Sequence, residues 1–208
     1  MRFWKKSKPL GLLGGICLDN YKRIPKPYDR ILSIGKGVMI KTGTILCGEG
    51  FHFSRFDDRK LYFNKHNFGV EIGDDIWIGS NCTIDRGRWR HTRIDRGVKI
   101  DNGVHISHNV VIEPDCIIGT GAILLGSCEI GEGSEIWSNA IIHQKVKVGK
   151  NCAVGANTYL RHDLKDNMCA YISDRTGKLV IKHIDLTKKY KKGGVSKLPP
   201  THQKKPGF

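Results

Sequence analysis

An aliphatic side chain recurs at every sixth position along most of this chain, and this period restricts the fold more than any other feature. It fits neither an α-helix nor a plain β-strand, whose side-chain periods are about 3.6 and 2. A smaller residue four positions after each anchor points to the same side, so each hexapeptide makes one flat and one corner. The anchors are Ile34, Ile40 and Leu46, then Ile72, Ile78 and Ile84, and then Ile94, Ile100, Ile106, Ile112, Ile118, Leu124, Ile130, Ile136, Ile142, Val148, Val154 and Leu160.

Three such flats would close one triangular coil of 18 residues. Successive coils would stack at the spacing of paired strands, about 4.8 Å, and the inner column of aliphatic side chains would form the hydrophobic core. The pattern therefore predicts an all-β fold, a parallel β-helix built from hexapeptide repeats.

The repeat predicts one catalytic domain with basic ends in this 208-residue chain. We expect residues 1–33 to form a basic cap or arm, 34–165 the β-helix with an extruded loop at 48–69, 166–185 a terminal strand pair, and 186–208 a flexible lysine-rich tail. Most of the net charge of +15 lies in the two ends, so the repeat body is nearly neutral. This distribution indicates solvated tails, or ends that receive an anionic ligand such as a coenzyme phosphate or an acidic carrier protein, and makes a nucleic-acid partner unlikely.

The seven cysteines indicate a reducing compartment. Their number is odd, and Cys82, Cys116, Cys128 and Cys152 occupy the small inward position, where a thiol acts as a compact apolar filler. The short, glycine-rich run at residues 9–17 is a poor signal peptide, and we find no stretch long enough to span a membrane. We therefore expect a cytoplasmic protein.

Two interruptions of the repeat predict where a functional site lies. Four residues are inserted between Ile84 and Ile94, and about twenty between Leu46 and Ile72. When the anchors are assigned to three faces in turn, both insertions leave the body at the same corner. Loops that emerge together from a rigid scaffold are a common location for binding and catalysis.

The polar residues at this corner suggest acyl-transfer chemistry. His108 and Gly126 are one coil apart, so an imidazole and a backbone N–H could address one reacting carbonyl: His108 as general base, Gly126 as the donor to an oxyanion. Asp85 could orient the imidazole or bind the acceptor. The competing explanation is that corners of any β-helix collect polar residues, so that some of nine histidines align by chance.

Several motifs at about residues 45–145 identify a resemblance to a known family. They are Gly48-Glu-Gly-Phe-His-Phe, Ile72-Gly-Asp, Cys82-Thr-Ile-Asp-Arg-Gly, Ile100-Asp-Asn and Ile106-Ser-His-Asn-Val. In order and spacing the set resembles the UDP-3-O-acylglucosamine N-acyltransferases of lipid A synthesis. The resemblance implies a left-handed parallel β-helix, a homotrimer with active sites between subunits, His108 as catalytic base, and Gly126 as the amide that faces the acyl carbonyl.

The sequence also departs from that family. Only 33 residues precede the coils, where the family has a uridine-binding domain, and Lys145 aligns with its second active-site histidine, although His143 is close by. The lysine-rich tail replaces a helical extension. Residues 154–164 instead resemble the last coil of hexapeptide acetyltransferases that use coenzyme A, although the usual Gly-Asn-Pro-Ala segment does not follow.

We therefore predict an acyltransferase, most simply an acetyltransferase, that acts on an amine or hydroxyl of a sugar, in particular a nucleotide-linked amino sugar. The donor would be acetyl-CoA, another acyl-CoA or an acyl carrier protein, with no metal and no acyl-enzyme. The predicted acceptor-binding residues are Asp85, Arg86, Asn109, Phe51, Phe53 and His143. The two phenylalanines could instead pack the loop against a neighbour. The predicted donor-binding residues are Gln144, Arg161, His162 and Lys178.

Two other functions stay open from the sequence. One is a metal enzyme of the γ-class carbonic anhydrase type, suggested by His105, His108 and His143, although the third histidine expected after His143 is missing. The other is a non-catalytic β-helix that binds nucleic acid through its basic ends.

Overall fold

The computed structural model describes residues 30–184 and the backbone of one further strand, β1 (Ile16–Cys17). Most of the predicted basic arm and the whole of the predicted lysine-rich tail lie outside the described residues. The described chain is a left-handed parallel β-helix, as predicted, with three sheets along the faces of a triangular prism. No helix in this part of the chain is long and apolar enough to cross a membrane.

Face A contains seven strands, of which all but the first run parallel. Strand β1 pairs antiparallel with the strand that follows it on this face. In spatial order the others are β4 (Ile45–Gly48), β9 (Thr83–Asp85), β12 (His105–Ile106), β15 (Ile123–Leu124), β18 (Ile141–Ile142) and β21 (Tyr159–Leu160).

Face B contains six parallel strands. They are β2 (Leu32–Ile34), β7 (Val70–Ile72), β10 (Thr92–Ile94), β13 (Val111–Ile112), β16 (Glu129–Ile130) and β19 (Lys147–Val148).

Face C has parallel strands and ends in a hairpin. The parallel strands are β3 (Met39–Ile40), β8 (Trp77–Ile78), β11 (Lys99–Ile100), β14 (Ile117–Ile118), β17 (Glu135–Ile136), β20 (Ala153–Val154) and β22 (Met168–Ile172). The last of these pairs antiparallel with β23 (Leu179–His183).

The anchors fill the prism because each stacks on the residue one coil away. Ile94 pairs with Ile112, for example, and Ile112 with Ile130. The Ser134 hydroxyl enters this core with both of its hydrogen bonds made: it donates to the Gly149 carbonyl at 2.7 Å and accepts from the Cys152 N–H at 2.9 Å. The buried Thr158 hydroxyl, by contrast, has no hydrogen-bond partner among the described residues. A bonded hydroxyl avoids the desolvation cost that an unpaired buried one would carry.

The cysteines of the described chain are free thiols, and five of the six are buried. Burial raises the pKa of Cys47, Cys116 and Cys128 to about 12. A thiol with so high a pKa is protonated at neutral pH and is a poor nucleophile. Cys82, Cys116, Cys128 and Cys152 pack the core, as predicted from their position in the repeat, and Cys47 joins them.

Both interruptions of the repeat lie where the chain passes from face A to face B, as predicted. We call this edge, formed by residues 85–91, 107–110, 125–128 and 143–146, the A/B corner. The longer insertion, between β4 and β7, projects a two-stranded hairpin of β5 (Phe53–Arg55) and β6 (Leu61–Phe63). The shorter insertion lies between β9 and β10.

Candidate active site

A cleft of about 540 Å³ lies along face A at the A/B corner. Its lining includes five residues predicted from the sequence: Phe51, Asp85, His108, Gly126 and Gln144. The remaining lining residues were not predicted for an acyl-transfer site, although His105 was considered as a metal ligand: Glu49, Thr83, His105, Ser107 and Leu125.

His108 and Gly126 stack directly on one another. Pairing of β12 with β15 places Ile106 opposite Leu124. His108 and Gly126, each two positions later, are therefore also in register. A Cβ atom built on Gly126 would lie 2.8 Å from both Cε1 and Nε2 of His108. Only glycine leaves room for the imidazole in this position. His108 is half-buried at the corner, outside the hydrophobic interior.

Asn109 determines how the His108 ring is oriented. The Asn109 Nδ2 group donates to the Arg90 carbonyl at 2.8 Å, which leaves Oδ1 as the acceptor toward His108 Nδ1, also at 2.8 Å. This assignment makes Nδ1 the protonated nitrogen of the neutral ring and leaves the Nε2 lone pair available. The Nε2 atom is therefore the basic atom of the site.

Two aromatic side chains hold His108 edge to face. The His66 ring centroid lies 4.9 Å away and that of Trp89 lies 5.6 Å away. His66 is completely buried; its Nδ1–H donates to the Arg86 carbonyl at 3.2 Å, and its backbone N–H donates to Glu49 at 2.7 Å. Burial is the main cause that lowers the pKa of His66, which favours a neutral ring beside His108.

The Gly126 N–H has no capping side chain among the described residues, whereas several equivalent N–H groups at the other corners do. Two positions after an anchor, the Lys36 N–H donates to Asp74 at 2.6 Å, and the Lys150 N–H donates to Asp166 at 2.8 Å. The Ser80 N–H donates to Asn102 in the same way. Among hydrogen bonds between the described residues, none has the Gly126 N–H as donor. This amide can therefore donate to an oxygen that develops negative charge.

Asp85 and His105 lie together on the cleft surface. His105 Nε2 is 3.9 Å from Asp85 Oδ2, and His105 Nδ1 is 2.8 Å from the Thr83 hydroxyl. Burial raises the pKa of Asp85 to about 6 and lowers the pKa of His105. The carboxylate is thus next to His105, and the ring of His108 is oriented by Asn109 instead.

The structure argues against acceptor contact by two predicted residues. Arg86 is only 3% exposed and forms a buried ion pair with Glu49. Asn109 is 0% exposed behind the imidazole that it orients. Their burial leaves no surface for an acceptor, so both are supporting residues.

The predicted phenylalanines form an aromatic cluster on the hairpin side of the cleft. Phe51 is 91% exposed, and its ring lies 5.0 Å from that of Phe53, which in turn lies 5.4 Å from that of Phe63. Phe51 lines the cleft, whereas Phe53 supports it from behind.

The other predicted residues lie farther along the molecule. His143 and Arg161 flank Tyr159 on the next coils, with ring–ring and guanidinium–ring separations of 5.9 and 6.0 Å. His162 is exposed. Lys178 lies in the turn between β22 and β23 at the end of face C, and the structure does not bring it to the cleft.

The three histidines of the metal hypothesis do not converge within one chain. Their Nδ1 atoms face different groups, those of Thr83, Asn109 and the Gln144 carbonyl for His105, His108 and His143. Within residues 30–184, no three His, Cys, Asp or Glu side chains are arranged to hold a metal ion. The basic ends of the nucleic-acid hypothesis lie largely outside the described residues.

Comparison with known proteins shows that the repeats are similar to those of bacterial transferases. Residues 91–126 and 127–162 each match the family "Bacterial transferase hexapeptide (six repeats)". A UDP-3-O-acylglucosamine N-acyltransferase from Pseudomonas syringae is 46% identical over 67 residues, which are 32% of this chain and 18% of that protein. The resemblance predicted from the motifs is confirmed over this segment, which spans about a fifth of the relative.

Solved structures with the same fold include two UDP-N-acetylglucosamine acyltransferases. The enzyme from Bacteroides fragilis has a TM-score of 0.65 and 22% identity, with 78% of this chain and 60% of that chain covered. The enzyme from Francisella novicida has a TM-score of 0.63 and 18% identity, with 78% and 63% covered. At these identities the likeness establishes the left-handed β-helix.

Proposed function

We propose that this protein is an acyltransferase that moves an acyl group from a thioester to an amine or hydroxyl of a sugar. The observation that carries the proposal is the stack at the A/B corner: the imidazole of His108, with Nε2 free, lies against the uncapped N–H of Gly126. A base and an oxyanion donor in one cleft are the two groups that acyl transfer requires. The match to transferase repeats supports the same reaction class.

The proposed reaction proceeds by direct attack. His108 Nε2 removes the proton from the amine or hydroxyl, which attacks the thioester carbonyl carbon. The resulting oxyanion accepts a hydrogen bond from the Gly126 N–H. As the intermediate collapses, the carbon–sulfur bond breaks, and the imidazolium returns its proton to the departing thiolate. No cysteine is required as an acyl carrier, because the buried thiols are held protonated.

We infer that the acceptor is a nucleotide-linked amino sugar. The relative and the solved structures described above are acyltransferases named for UDP-linked glucosamine derivatives. Phe51 presents a free aromatic face at the cleft, which suits contact with a sugar or a base. Asp85 also lines the cleft, where its carboxylate can accept a hydrogen bond from a hydroxyl or ammonium group.

For the donor we propose acetyl-CoA, another acyl-CoA or an acyl carrier protein. Gln144 lines the cleft, and His143, Arg161 and His162 continue the same edge beyond it, as an extended donor arm would require.

We propose a homotrimer, in which a face of the neighbouring subunit would complete each cleft. Lys178 would then contribute to donor binding only from an adjacent subunit. The cytoplasmic location stays a prediction.

A donor–acceptor screen tests the function. Purified protein is incubated with acetyl-CoA or longer acyl-CoAs and with a panel of nucleotide-linked amino sugars, and released thiol is detected with mass-spectrometric confirmation of the acylated product. We expect thiol release that depends on both the acceptor and His108. Equal thiol release by the wild type and by His108→Ala would contradict the proposed mechanism.

Stoichiometric metal in the protein purified without an affinity tag, combined with metal-dependent hydration of carbon dioxide, would favour the carbonic anhydrase hypothesis instead. Salt-dependent binding to duplex DNA that is unaffected by His108→Ala, without thioester turnover, would favour the nucleic-acid hypothesis.

A further inference from the structure

The segment 86–96 contains five arginines, and four of them pair with a carboxylate. The pairs are Arg86 with Glu49, Arg90 with Glu129, Arg93 with Asp95 and Arg96 with Asp115. Arg88 is the exception: within residues 30–184, no carboxylate forms an ion pair with it. A guanidinium is charged at every physiological pH, so a part-buried arginine without an anionic partner indicates a place where a ligand could supply the charge.

The groups around Arg88 form a set of hydrogen-bond donors. Its Nη1 lies 3.1 Å from Nδ1 of His52, and because a guanidinium has no acceptor, Nδ1 must accept. The neutral His52 ring then carries its proton on Nε2, where it can donate to a ligand. Burial, followed by the charges of Arg88 and His108, lowers the pKa of His52, which is consistent with the neutral ring. The Arg88 guanidinium also lies 5.4 Å from the Trp89 ring centroid.

Arg88 and His52 are next to residues that contact His108 or line the cleft. The backbone N–H of Arg88 donates to Asn109 Oδ1 at 3.2 Å, the oxygen that also accepts from His108. The neighbouring Trp89 contacts the His108 ring edge to face. On the other side, His52 follows Phe51, which lines the cleft. Arg88 and His52 therefore adjoin residues of the cleft and of its proposed base, although neither is part of the cleft lining itself.

We propose that Arg88 and His52 form an anion-binding subsite that holds a phosphoryl group of the acceptor. Guanidinium groups bind phosphate oxygens through paired, charge-assisted hydrogen bonds, and the imidazole N–H adds a further donor. The subsite deepens the proposed function, on which it rests for the assignment of the anion to the acceptor. It would select a sugar phosphate or sugar nucleotide over a neutral sugar.

The position of the subsite favours the acceptor over the donor as the source of the phosphate. In a coenzyme A or carrier-protein thioester, the whole pantetheine arm separates the reacting carbonyl from the nearest phosphate. The Arg88 guanidinium, by contrast, lies beside the Trp89 ring, and that ring contacts His108. An anion bound there would be separated from the proposed base by one side chain, which fits a phosphoryl group on the molecule that carries the nucleophile.

Titration calorimetry without any acyl donor tests the subsite. The probes are inorganic pyrophosphate and UDP, GDP, CDP and dTDP, each nucleotide compared with its nucleoside. We expect at least one diphosphate to bind more tightly than its nucleoside, and Arg88→Gln to weaken that binding by about 10- to 100-fold, as for loss of a hydrogen bond to a charged group. Arg88→Lys keeps the positive charge but loses the paired N–H donors of the guanidinium, so it should weaken diphosphate binding by a smaller factor.

Arg96→Gln is the matched control, because Arg96 is an exposed arginine at a different corner with its own carboxylate partner. It should change diphosphate affinity by less than about twofold. Thermal unfolding and size-exclusion chromatography would establish that each variant is folded. If Arg88→Gln does not fold, the test uses the diphosphate affinity of Arg88→Lys and the decrease of wild-type affinity with increasing salt concentration. Equal diphosphate affinity in wild type and the Arg88 variants, or binding of no diphosphate, would overturn the proposal.

The titration also separates this proposal from the proposed function, because it needs neither donor nor turnover. Arg88-dependent diphosphate binding in a protein that consumes no thioester would leave the subsite standing and refute the acyltransferase. Acyl transfer to a nucleotide sugar with kcat/KM unchanged by Arg88→Gln would do the reverse.

Discussion

The A/B corner and the other two corners of the prism are built from the same hexapeptide, but they differ in their turns. At the other corners, the third residue after each anchor is always Gly, Asn or Asp, and each has a positive φ. At the A/B corner, Asn109 occupies this position on one coil, but Ser127 and Lys145 occupy it on the next two, with φ of 65° and 64°. Residues other than Gly, Asn and Asp adopt this backbone only at a cost.

The amide groups differ as well. Side-chain oxygens from an adjacent coil cap several turn N–H groups at the other corners, as in the pairs Lys36–Asp74 and Lys150–Asp166. The equivalent Gly126 N–H has the imidazole of His108 beside it and no such cap. Other turn N–H groups within residues 30–184, such as those of Thr120 and Ser138, are also uncapped. The comparison therefore teaches that this scaffold makes a candidate site by placing an imidazole beside such an N–H and adding two loops at the same edge.

Removal of the proposed base should have the largest effect. His108→Ala is expected to lower acyl-transfer turnover by about 100- to 10,000-fold, because general base catalysis contributes about this much to the rate. Steady-state kinetics with the substrates found in the screen would measure it. His183→Ala, an exposed histidine of face C, is the control and should keep wild-type turnover. Comparable losses in both variants would contradict the assignment.

A side chain added at Gly126, against the His108 imidazole, should lower turnover almost as much as removal of His108. In Gly126→Ala the new methyl group would lie 2.8 Å from Cε1 and Nε2 of His108, so the ring must move away. A displacement of about 1 Å can cost about 100-fold in rate. As a control, Gly103→Asn introduces a side chain at another corner, where a Cβ meets nothing within 4 Å and Asn tolerates the positive φ. Retained activity in Gly126→Ala would show that the stack is not required.

A matched pair of asparagine variants tests the orientation of the base. Asn109 and Asn139 occupy the same turn position with φ of 64° and 57°, and glycine fits both backbones. Asn109→Gly removes the acceptor of the His108 Nδ1–H and should lower kcat by about 10- to 100-fold. Asn139→Gly should leave kcat within about twofold. If both variants keep wild-type kcat, another group must orient the ring.

The pH dependence of stability should distinguish the A/B corner from a solvated turn. Burial raises the pKa of Asp85 to about 6 from an ordinary value of 3.8, so the folded protein binds the proton more tightly than the unfolded chain. The resulting destabilisation is absent below pH 3.8, grows as pH rises to about 6, and is complete above it. Asp85→Asn should therefore increase the free energy of unfolding by about 1–2 kcal/mol at pH 7.5. Denaturant melts of both proteins should converge near pH 4, and a constant difference from pH 4 to 7.5 would be evidence against this account.

The smallest expected effect concerns the turn backbone itself. Lys145→Asn replaces a residue that tolerates positive φ poorly with one that tolerates it well, and should increase the free energy of unfolding by about 0.5–1 kcal/mol. Lys165→Asn, at an exposed position without a positive φ, should change it by less than about 0.5 kcal/mol. A destabilised Lys145→Asn would indicate that the lysine side chain has a stabilising contact of its own.

The stacking of His108 on Gly126 could be predicted because the repeat converts an 18-residue spacing into spatial contact. The same rule predicted the corner at which both insertions emerge. It could not predict His66, since the loop of residues 49–69 has no period that relates it to the coils. Trp89 was missed for the same reason, within the shorter insertion. Asn109 was predicted as an acceptor-binding residue, but its position behind the His108 ring could not be predicted, because burial is a tertiary property.

The sequence by itself determined the prism, its core and the edge that carries the candidate site, because a strict hexapeptide period leaves one way to bury every anchor. The tertiary structure alone decided which nitrogen of His108 is free, which rings support it, and which arginine of residues 86–96 has no carboxylate partner. These properties depend on side chains from separate coils and aperiodic loops, whose distances and burial no spacing along the chain specifies.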